Sequence, residues 1–394
     1  MAGILILGGG FAGVYTARML EKLGARDVTL VNRENYFIFE PMLPEVAAAE
    51  LDPRDILTPI RAMCPRTRFV QGEVQAIDLD ARRVSVDGRE LAYDQLVLAL
   101  GSTTIVDLPG VREHAIALKT IGDALYLRNH VIRTLERCDT ERRPITVVVA
   151  GGGFSGVEVA AELNDFIREA RRFYPCVEPR FVLVHAGDRL LPELPEKLGA
   201  YAERHLRRRG VDVRLKTPLT GAEAGAVLLG GERVACDCFV STIGNAPVPI
   251  VRDLPVPKDE RGRIKVEPHL EVVGRKGVWA VGDCASILNP ETGRPYPPSA
   301  QFAVREAAAL ARNLVREPRP FAYKGLGMFV SLGRRTAVGD MFGLRVTGFL
   351  AWWLWRSIYL MKLPGLDRKL RVAANWTVHL FFPPDIVEVS YTRS

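Results

Sequence analysis

The residues of this chain whose types and spacing could do chemistry begin with its glycines. Gly8, Gly10 and Gly13 form a Gly-x-Gly-x-x-Gly array that encloses Phe11 and Ala12. The first glycine of such an array allows a tight turn, and the second lets the backbone approach a pyrophosphate. The third lets helix and strand pack closely. Gly151, Gly153 and Gly156 repeat the array 143 residues later, here around Phe154 and Ser155. Six of the seven residues Gly8–Val14 recur in Gly151–Val157, and Ala17 and Leu20 match Ala160 and Leu163 at the same offset. One dinucleotide per repeat is the chemistry this predicts.

The flanking elements supply the context that such an array needs. Ile4–Leu7 reads as a short buried strand, a helical pattern runs to about Leu23, and Val28–Val31 reads as a second strand. In the second repeat, Ile145–Ala150 is apolar and β-branched, and Phe181–Val184 follows after a longer crossover through Arg168–Arg172. Strand, glycine turn, helix, strand aims a helix N-terminus at the phosphates. Three further stretches resemble parts of flavoproteins with two dinucleotide domains. Gly277–Asp283 is a strand ending in Gly282-Asp283, and in those proteins such an Asp takes hydroxyls of the flavin ribityl chain. Tyr93–Gly101 resembles the stretch that closes the first FAD segment, and Val240–Gly244 its counterpart at the return from the second domain.

The expected fold is α/β, with two Rossmann-like domains of the glutathione-reductase-like flavoprotein type. Residues 1–111 and 260–330 would form the FAD domain, 112–259 the NAD(P)H domain, and 331–394 a C-terminal membrane-associating region. The proline-rich stretches Ala246–Ile250 and Pro255–Pro257 would link them.

Composition narrows the partners. Of 394 residues, 48% are apolar and 25% charged, which excludes disordered and fibrous classes. The formal charge of +7 fits nucleic acid, an anionic membrane or an anionic cofactor, and its location must decide. Six cysteines offer no C-x-x-C pair and no zinc-ligand spacing, so no metal is expected and a reducing compartment is. Neither a signal peptide nor an uncharged apolar run of spanning length is visible.

Four of the seven charge units lie in the tail Leu344–Ser394, which also holds Trp352, Trp353, Trp355 and Trp376. No nucleic-acid motif accompanies them. Arg345 and Arg356, about three helical turns apart, would share one basic face, and Arg368, Lys369 and Arg371 would add headgroup attraction. Two readings stay open and are compatible: an amphipathic helix in a membrane interface, or a subunit interface anchored by tryptophans.

The chain resembles the type II NADH dehydrogenases, single-subunit NAD(P)H:quinone oxidoreductases that do not pump protons. The resemblance runs through Asn35–Pro44, Gly151–Glu162, Val281–Ala285, Pro298–Ala303 and the tail from Gly348 through Phe381–Ile386. It implies FAD, NADH or NADPH as co-substrate, a membrane quinone (menaquinone or ubiquinone), a homodimer, and a peripheral position on the cytoplasmic face of the membrane. FAD would be held by Gly8, Gly10, Phe11, Ala12, Gly13, Asn32, Arg33, Pro41, Val74, Ala99, Gly101, Gly282, Asp283, Ala300 and Gln301. The nicotinamide nucleotide would take Gly151, Gly153, Phe154, Ser155, Gly156, Glu158, His185 and Gly244.

Glu158 and Gln301 are the implied catalytic residues, and Gln301 and Arg305 the implied quinone contacts. Each has a plainer reading, Glu158 as an acid complementing its helix dipole and Gln301 as a solvated first-turn residue. Ser299 would cap a helix starting at Ala300 and turn its positive end to the flavin. Three residues depart from the family pattern. Arg305 replaces a glutamine of the quinone motif, Asn32 replaces an acid after the second strand, and His185 replaces a ribose-binding acid. Loss of that last charge predicts relaxed choice between NADH and NADPH. Sulfide:quinone oxidoreductase, a soluble electron-transfer reductase and a membrane-bound flavin sensor are the competing readings. No cysteine lies beyond Cys284 to serve the first, and the tail argues against the second.

Overall fold

The computed structural model describes residues 3–104, 107–382 and 385–389, so Pro383 and Pro384 of the tail motif lie outside the described residues. The chain divides into two compact units. One comprises 1–38, 57–103 and 245–325, the other 39–56, 104–244 and 326–394. The tail, expected as a region of its own, belongs to the second unit, and so does the short segment 39–56.

The first unit is built on a five-stranded parallel sheet in the order Val278–Ala280, Gln95–Leu98, Ile4–Leu7, Val28–Asn32, Arg68–Gln71. Ile6, Leu7, Leu30, Val31 and Leu96–Leu98 are fully buried, as the near-continuous apolar runs of a parallel sheet covered on both faces must be. The helix Phe11–Lys22 leaves the first strand through Gly8–Gly10 and packs along the helix Ala300–Val315. An antiparallel meander, Val74–Asp78, Arg83–Val86 and Arg89–Ala92, is inserted before the strand Gln95–Leu98. The Ala246-Pro247 linker pairs with Ser102-Thr103.

The second unit repeats the plan with four parallel strands in the order Val211–Arg214, Pro179–Val184, Ile145–Ala150, Cys238–Ser241. The helix Phe154–Ala170 follows its glycine turn. A capping box between Thr120 and Asp123 starts the helix Ile121–Thr140. From Leu326 the chain adds an antiparallel sheet, Gly327–Ser331, Ala337–Met341 and Leu344–Thr347, and then the helices Gly348–Lys362 and Leu366–Val378. Pro364 and Gly365 separate these helices, with Gly365 at φ +89°.

The tail corrects two expectations. Arg345 sits on a strand, not on a helical face shared with Arg356. Arg356 points inward: its side chain is 14% exposed, stacked 4.2 Å from Trp352 and 4.6 Å from Trp376, and paired with Glu50 at 3.2 Å and Glu45 at 3.7 Å. Trp352, Trp355 and Trp376 are likewise buried, so Trp353 is the tail tryptophan left at the surface. The physical reason is the pair of carboxylates inside the unit, which draw the guanidinium in and leave the indoles to sheathe it. Arg371 is also engaged, with Asp55 at 3.3 Å and Asp367 at 3.2 Å. Among the described residues no helix is long and apolar enough to cross a membrane.

Candidate functional site

The implied site residues fall into two sets, one on each unit. In the first unit, Gly8 has φ +106°, and a methyl there would collide with the carbonyl of Ala99. A methyl on Gly13 would run into the carbonyl of Gly8, so that glycine is demanded by packing alone. Gly10 is different: a Cβ there meets nothing within 4 Å. Its glycine is therefore unexplained by the protein and fits a phosphate brought close to the backbone. The helix beginning at Phe11 has no side-chain cap, which leaves its first N–H groups to a ligand.

The other end of the set is equally ordered. Asp283 accepts a hydrogen bond from the Ser102 hydroxyl at 2.9 Å, beside Gly101 at φ +69°. The Gly282 amide donates to Glu306 at 2.8 Å, and burial lifts that carboxyl to about 7. Ser299 caps the helix Ala300–Val315 by accepting from the Phe302 amide, as its sequence predicts. Gln301 and Ala300 stand half-buried in the first turn. Arg305 is exposed, with its guanidinium 5.3 Å from the centre of the Tyr323 ring. Arg33 is exposed and pairs with Glu34 at 3.7 Å, and Val74 opens the meander. Pro41 belongs to the second unit, in the turn Glu40–Met42.

In the second unit, Gly151 has φ +120°, and a methyl on it would strike the Thr242 hydroxyl. A methyl on Gly156 would strike the carbonyl of Gly151. Gly153, like Gly10, faces open space, its nearest neighbour being a Glu193 carboxylate oxygen 3.9 Å from a built Cβ. The helix at Phe154 is also uncapped by any side chain. Phe154 is half-buried and Ser155 exposed in its first turn, and Gly244 is exposed after the strand Cys238–Ser241. His185 follows the second strand, and its Nδ1 accepts from the Gly152 amide at 3.2 Å. Burial pushes this imidazole below its ordinary value, with Glu193 and Asp188 pulling the other way.

Glu158 lies on the first helical turns, buried, and accepts from the Ser331 amide at 3.2 Å. Burial raises it to about 8, so it holds a proton at neutral pH. This is more than dipole complementation, because an acid serving a dipole would be ionised. Sequence reasoning missed the partners of Glu158. The Ser331 hydroxyl donates to Glu162 at 2.6 Å, and Glu45 faces the same interior. The signal was present: Glu158, Glu162, Asp165 and Glu169 recur at helical spacing within an otherwise apolar helix. Among the described residues no group of His, Cys, Asp or Glu is arranged to hold a metal ion.

Both glycine turns thus offer open space at the middle glycine, a bare helix end and a packed third glycine, which fits the phosphates of FAD and of a nicotinamide dinucleotide. Comparisons with known proteins agree. The pyridine nucleotide-disulphide oxidoreductase model matches residues 2–307, and the NDH2 C-terminal domain model matches residues 326–384. A probable NADH dehydrogenase of Dictyostelium discoideum is 31% identical, covering 97% of this chain and 90% of its own. A demethylphylloquinone reductase of Synechocystis is also 31% identical, covering 95% of each. In fold, the chain is similar to NDH2 from Plasmodium falciparum in complex with NADH. That likeness has a TM-score of 0.90 at 19% identity, over 98% of this chain and 99% of that one.

Proposed function

Because the chain belongs to the pyridine nucleotide-disulphide oxidoreductase family, in its type II NADH dehydrogenase branch, we propose that it oxidises NAD(P)H and reduces a membrane quinone. The observation that carries this is the paired glycine turns, each with one glycine open to a ligand, joined in one chain to an NDH2 C-terminal domain.

The residues divide the work. Gly8, Gly10 and Gly13 with the uncapped helix end would hold the FAD pyrophosphate, and Asp283, oriented by Ser102, would take ribityl hydroxyls. When bound, FAD supplies the two-electron carrier between nicotinamide and quinone. Gly151, Gly153 and Gly156 would hold the nicotinamide nucleotide in the same manner. Ser299 fixes the helix end at Ala300 and Gln301, presenting amides and a polar side chain where negative charge develops. Arg305, in place of an amide, gives the quinone side a cation. The relative that reduces demethylphylloquinone favours a naphthoquinone such as menaquinone as the acceptor. Glu158, protonated in its buried setting, is suited to donate rather than accept.

His185 is neutral at physiological pH, and so neither repels nor strongly attracts a 2′-phosphate. With Asp188 and Glu193 close by, the expectation is use of both NADH and NADPH, without strong preference for either.

The exposed apolar surface of the tail supports docking on an anionic membrane surface, and the choice of the cytoplasmic face rests on the family resemblance. Phe342, Leu344, Phe349, Leu350, Trp353 and Met361 are exposed together around the hairpin and the Gly348–Lys362 helix, an apolar array that water disfavours. Apolar insertion, with Arg345 and Lys362 exposed in the same stretch of chain, replaces the basic face expected from Arg356. Association as a homodimer rests on the family resemblance.

The test is direct. The yellow holoprotein should bleach with NADH and with NADPH and recover colour with a short-chain naphthoquinone. Failure of both nucleotides to bleach it would remove this reading. Sulfide should not bleach it. Binding to vesicles containing phosphatidylglycerol, weakened by Trp353→Glu, tests the membrane assignment.

A further inference from the structure

The first unit buries an acid that neither hydride transfer nor the proposed cofactor contacts use. Glu306 is 4% exposed, on the helix Ala300–Val315, and its Oε2 accepts from the Gly282 amide at 2.8 Å. Its neighbours on the same helix, Ala303, Ala307 and Leu310, are buried and apolar. A carboxyl in such surroundings is costly and is kept where something needs it.

What Glu306 holds is the turn that carries Asp283. Gly282 has φ +74°, and a methyl there would lie 2.9 Å from the Ala12 side chain, so this turn packs directly on the first glycine array. Asp283 is fixed from its other side by the Ser102 hydroxyl at 2.9 Å. One contact thus grips the main chain of the turn and the other grips its carboxylate. Glu306, Gly282, Asp283 and the helix cap Ser299 also border one small cavity, together with Arg263. The acid behind the turn therefore shares its surroundings with two residues assigned to the flavin.

We propose that Glu306 is a positioning residue for the flavin: by holding the Gly282 amide it sets Asp283 where the ribityl hydroxyls arrive, and its charge tunes the potential of the bound flavin. The inference rests on the flavin reading of the first glycine array and Asp283. Glu306 lies six residues beyond Ala300, about 9 Å along the helix whose first turn faces the flavin in that reading. Reduction adds negative charge to a flavin. A carboxylate roughly 10 Å away, at an effective dielectric of about 20, disfavours that charge about tenfold.

The charge of Glu306 changes within the working range. Burial lifts the carboxyl to about 7; the Gly282 amide and Arg263 pull it down, and Asp283 pushes it further up. Arg263 is shared with Asp259 at 2.8 Å, which makes it a divided counter-charge. On the packed helix Phe11–Lys22, Arg18 lies 5.4 Å from the centre of the Tyr15 ring, and Arg305 lies over Tyr323. Glu306 is therefore ionised above about pH 7, where it lowers the flavin potential, and neutral below, where it does not.

Two variants separate grip from charge. Glu306→Gln keeps a carbonyl for the Gly282 amide and drops the charge, whereas Glu306→Leu drops both. Flavin fluorescence gives the dissociation constant, and anaerobic equilibration with reference dyes gives the midpoint potential. Glu306→Gln should retain FAD nearly as tightly as wild type. Its potential should lie above wild type by about 30 mV near pH 8.5, the tenfold effect for a two-electron couple, and match wild type near pH 5.5. Glu306→Leu should release FAD roughly tenfold more readily, because the Gly282 amide loses its acceptor. A potential offset equal at both pH values, or absent at both, would overturn the proposal. So would FAD held by Glu306→Leu as tightly as by wild type, or lost equally from both variants. Wild-type protein that takes up no FAD would overturn the flavin reading itself, and this inference with it.

Discussion

Arg356 is the residue on which the packing of the tail turns, and replacing it with methionine is a quantitative test. The guanidinium compensates Glu50 at 3.2 Å and Glu45 at 3.7 Å, between two indole faces. Methionine keeps much of the apolar stem and volume but leaves Glu45 and Glu50 without their cation. Removing one partner of a buried ion pair costs about 3–5 kcal/mol, and the lost ring contacts are part of that figure, not added to it. The cost must depend on pH. Glu45, raised to about 8, already carries a proton at neutral pH, which leaves Glu50 as the carboxylate that needs the cation. Without Arg356, folding forces Glu50 to take up a proton that the unfolded chain releases near its ordinary value of 4.5. The native variant then binds one proton more than the unfolded chain, so its stability falls with rising pH by about 1.4 kcal/mol per unit. Urea unfolding followed by tryptophan fluorescence should show the largest deficit near pH 8, shrinking toward pH 5. A deficit that is absent at pH 8, or that grows as pH falls, would refute the argument.

Three other outcomes follow from single side chains. Gly10→Ala should fold and yet be isolated with little flavin, whereas Gly13→Ala should also lose thermal stability, because a Cβ has space only at the first of these. Retention of full flavin by Gly10→Ala would remove the pyrophosphate assignment. His185→Glu should lower kcat/KM for NADPH by roughly tenfold or more while sparing NADH, since a carboxylate there repels a 2′-phosphate. A wild-type enzyme with strong NADH preference that is lost on changing His185 would contradict this. Glu158, raised to about 8, makes native protein bind more protons than unfolded protein between about 4.5 and 8, so its contribution to stability declines as pH rises through that window. Glu158→Gln should flatten the fall of Tm with pH and gain most relative to wild type near pH 8. An unchanged pH profile would place the titration elsewhere.

The repeats were legible because their signals are local. A buried parallel strand is an apolar run, and a glycine turn is a fixed spacing, so Ile4–Leu7, Ile145–Ala150 and the cap at Ser299 stand where the sequence puts them. The inward turn of Arg356 was not legible, because an arginine beside tryptophans reads the same on a membrane face as in a core. What decides is Glu45 and Glu50, some three hundred residues earlier, and no local pattern announces that pairing. Ser331 was missed for the same reason. Its partners, Glu158 and Glu162, are on a helix that ends long before it. The division of the chain is also non-local, since the segment 39–56 leaves one unit to serve another.

The two departures from an acidic pattern after the second strands turn out to share one geometry. In the first repeat the Gly9 amide donates to Asn32 Oδ1 at 2.8 Å, and in the second the Gly152 amide donates to His185 Nδ1 at 3.2 Å. Each replacement side chain therefore keeps an acceptor on the amide of the glycine just before the open one, Gly9 or Gly152, while discarding a negative charge. Asn32 Nδ2 donates to the Glu34 carbonyl at 2.8 Å, which fixes the amide's orientation and keeps its oxygen toward the turn. Among the described residues His185 makes no matching bond at Nε2, but its lowered protonation preserves the lone pair on Nδ1 that Gly152 requires. A protonated ring would present N–H to N–H and lose that bond. The turn itself thus favours neutral His185, and the same neutrality sets the nucleotide choice proposed for this unit. Shape at the glycine turn and charge at the ribose are separable, and this chain has kept the first in both repeats while giving up the second.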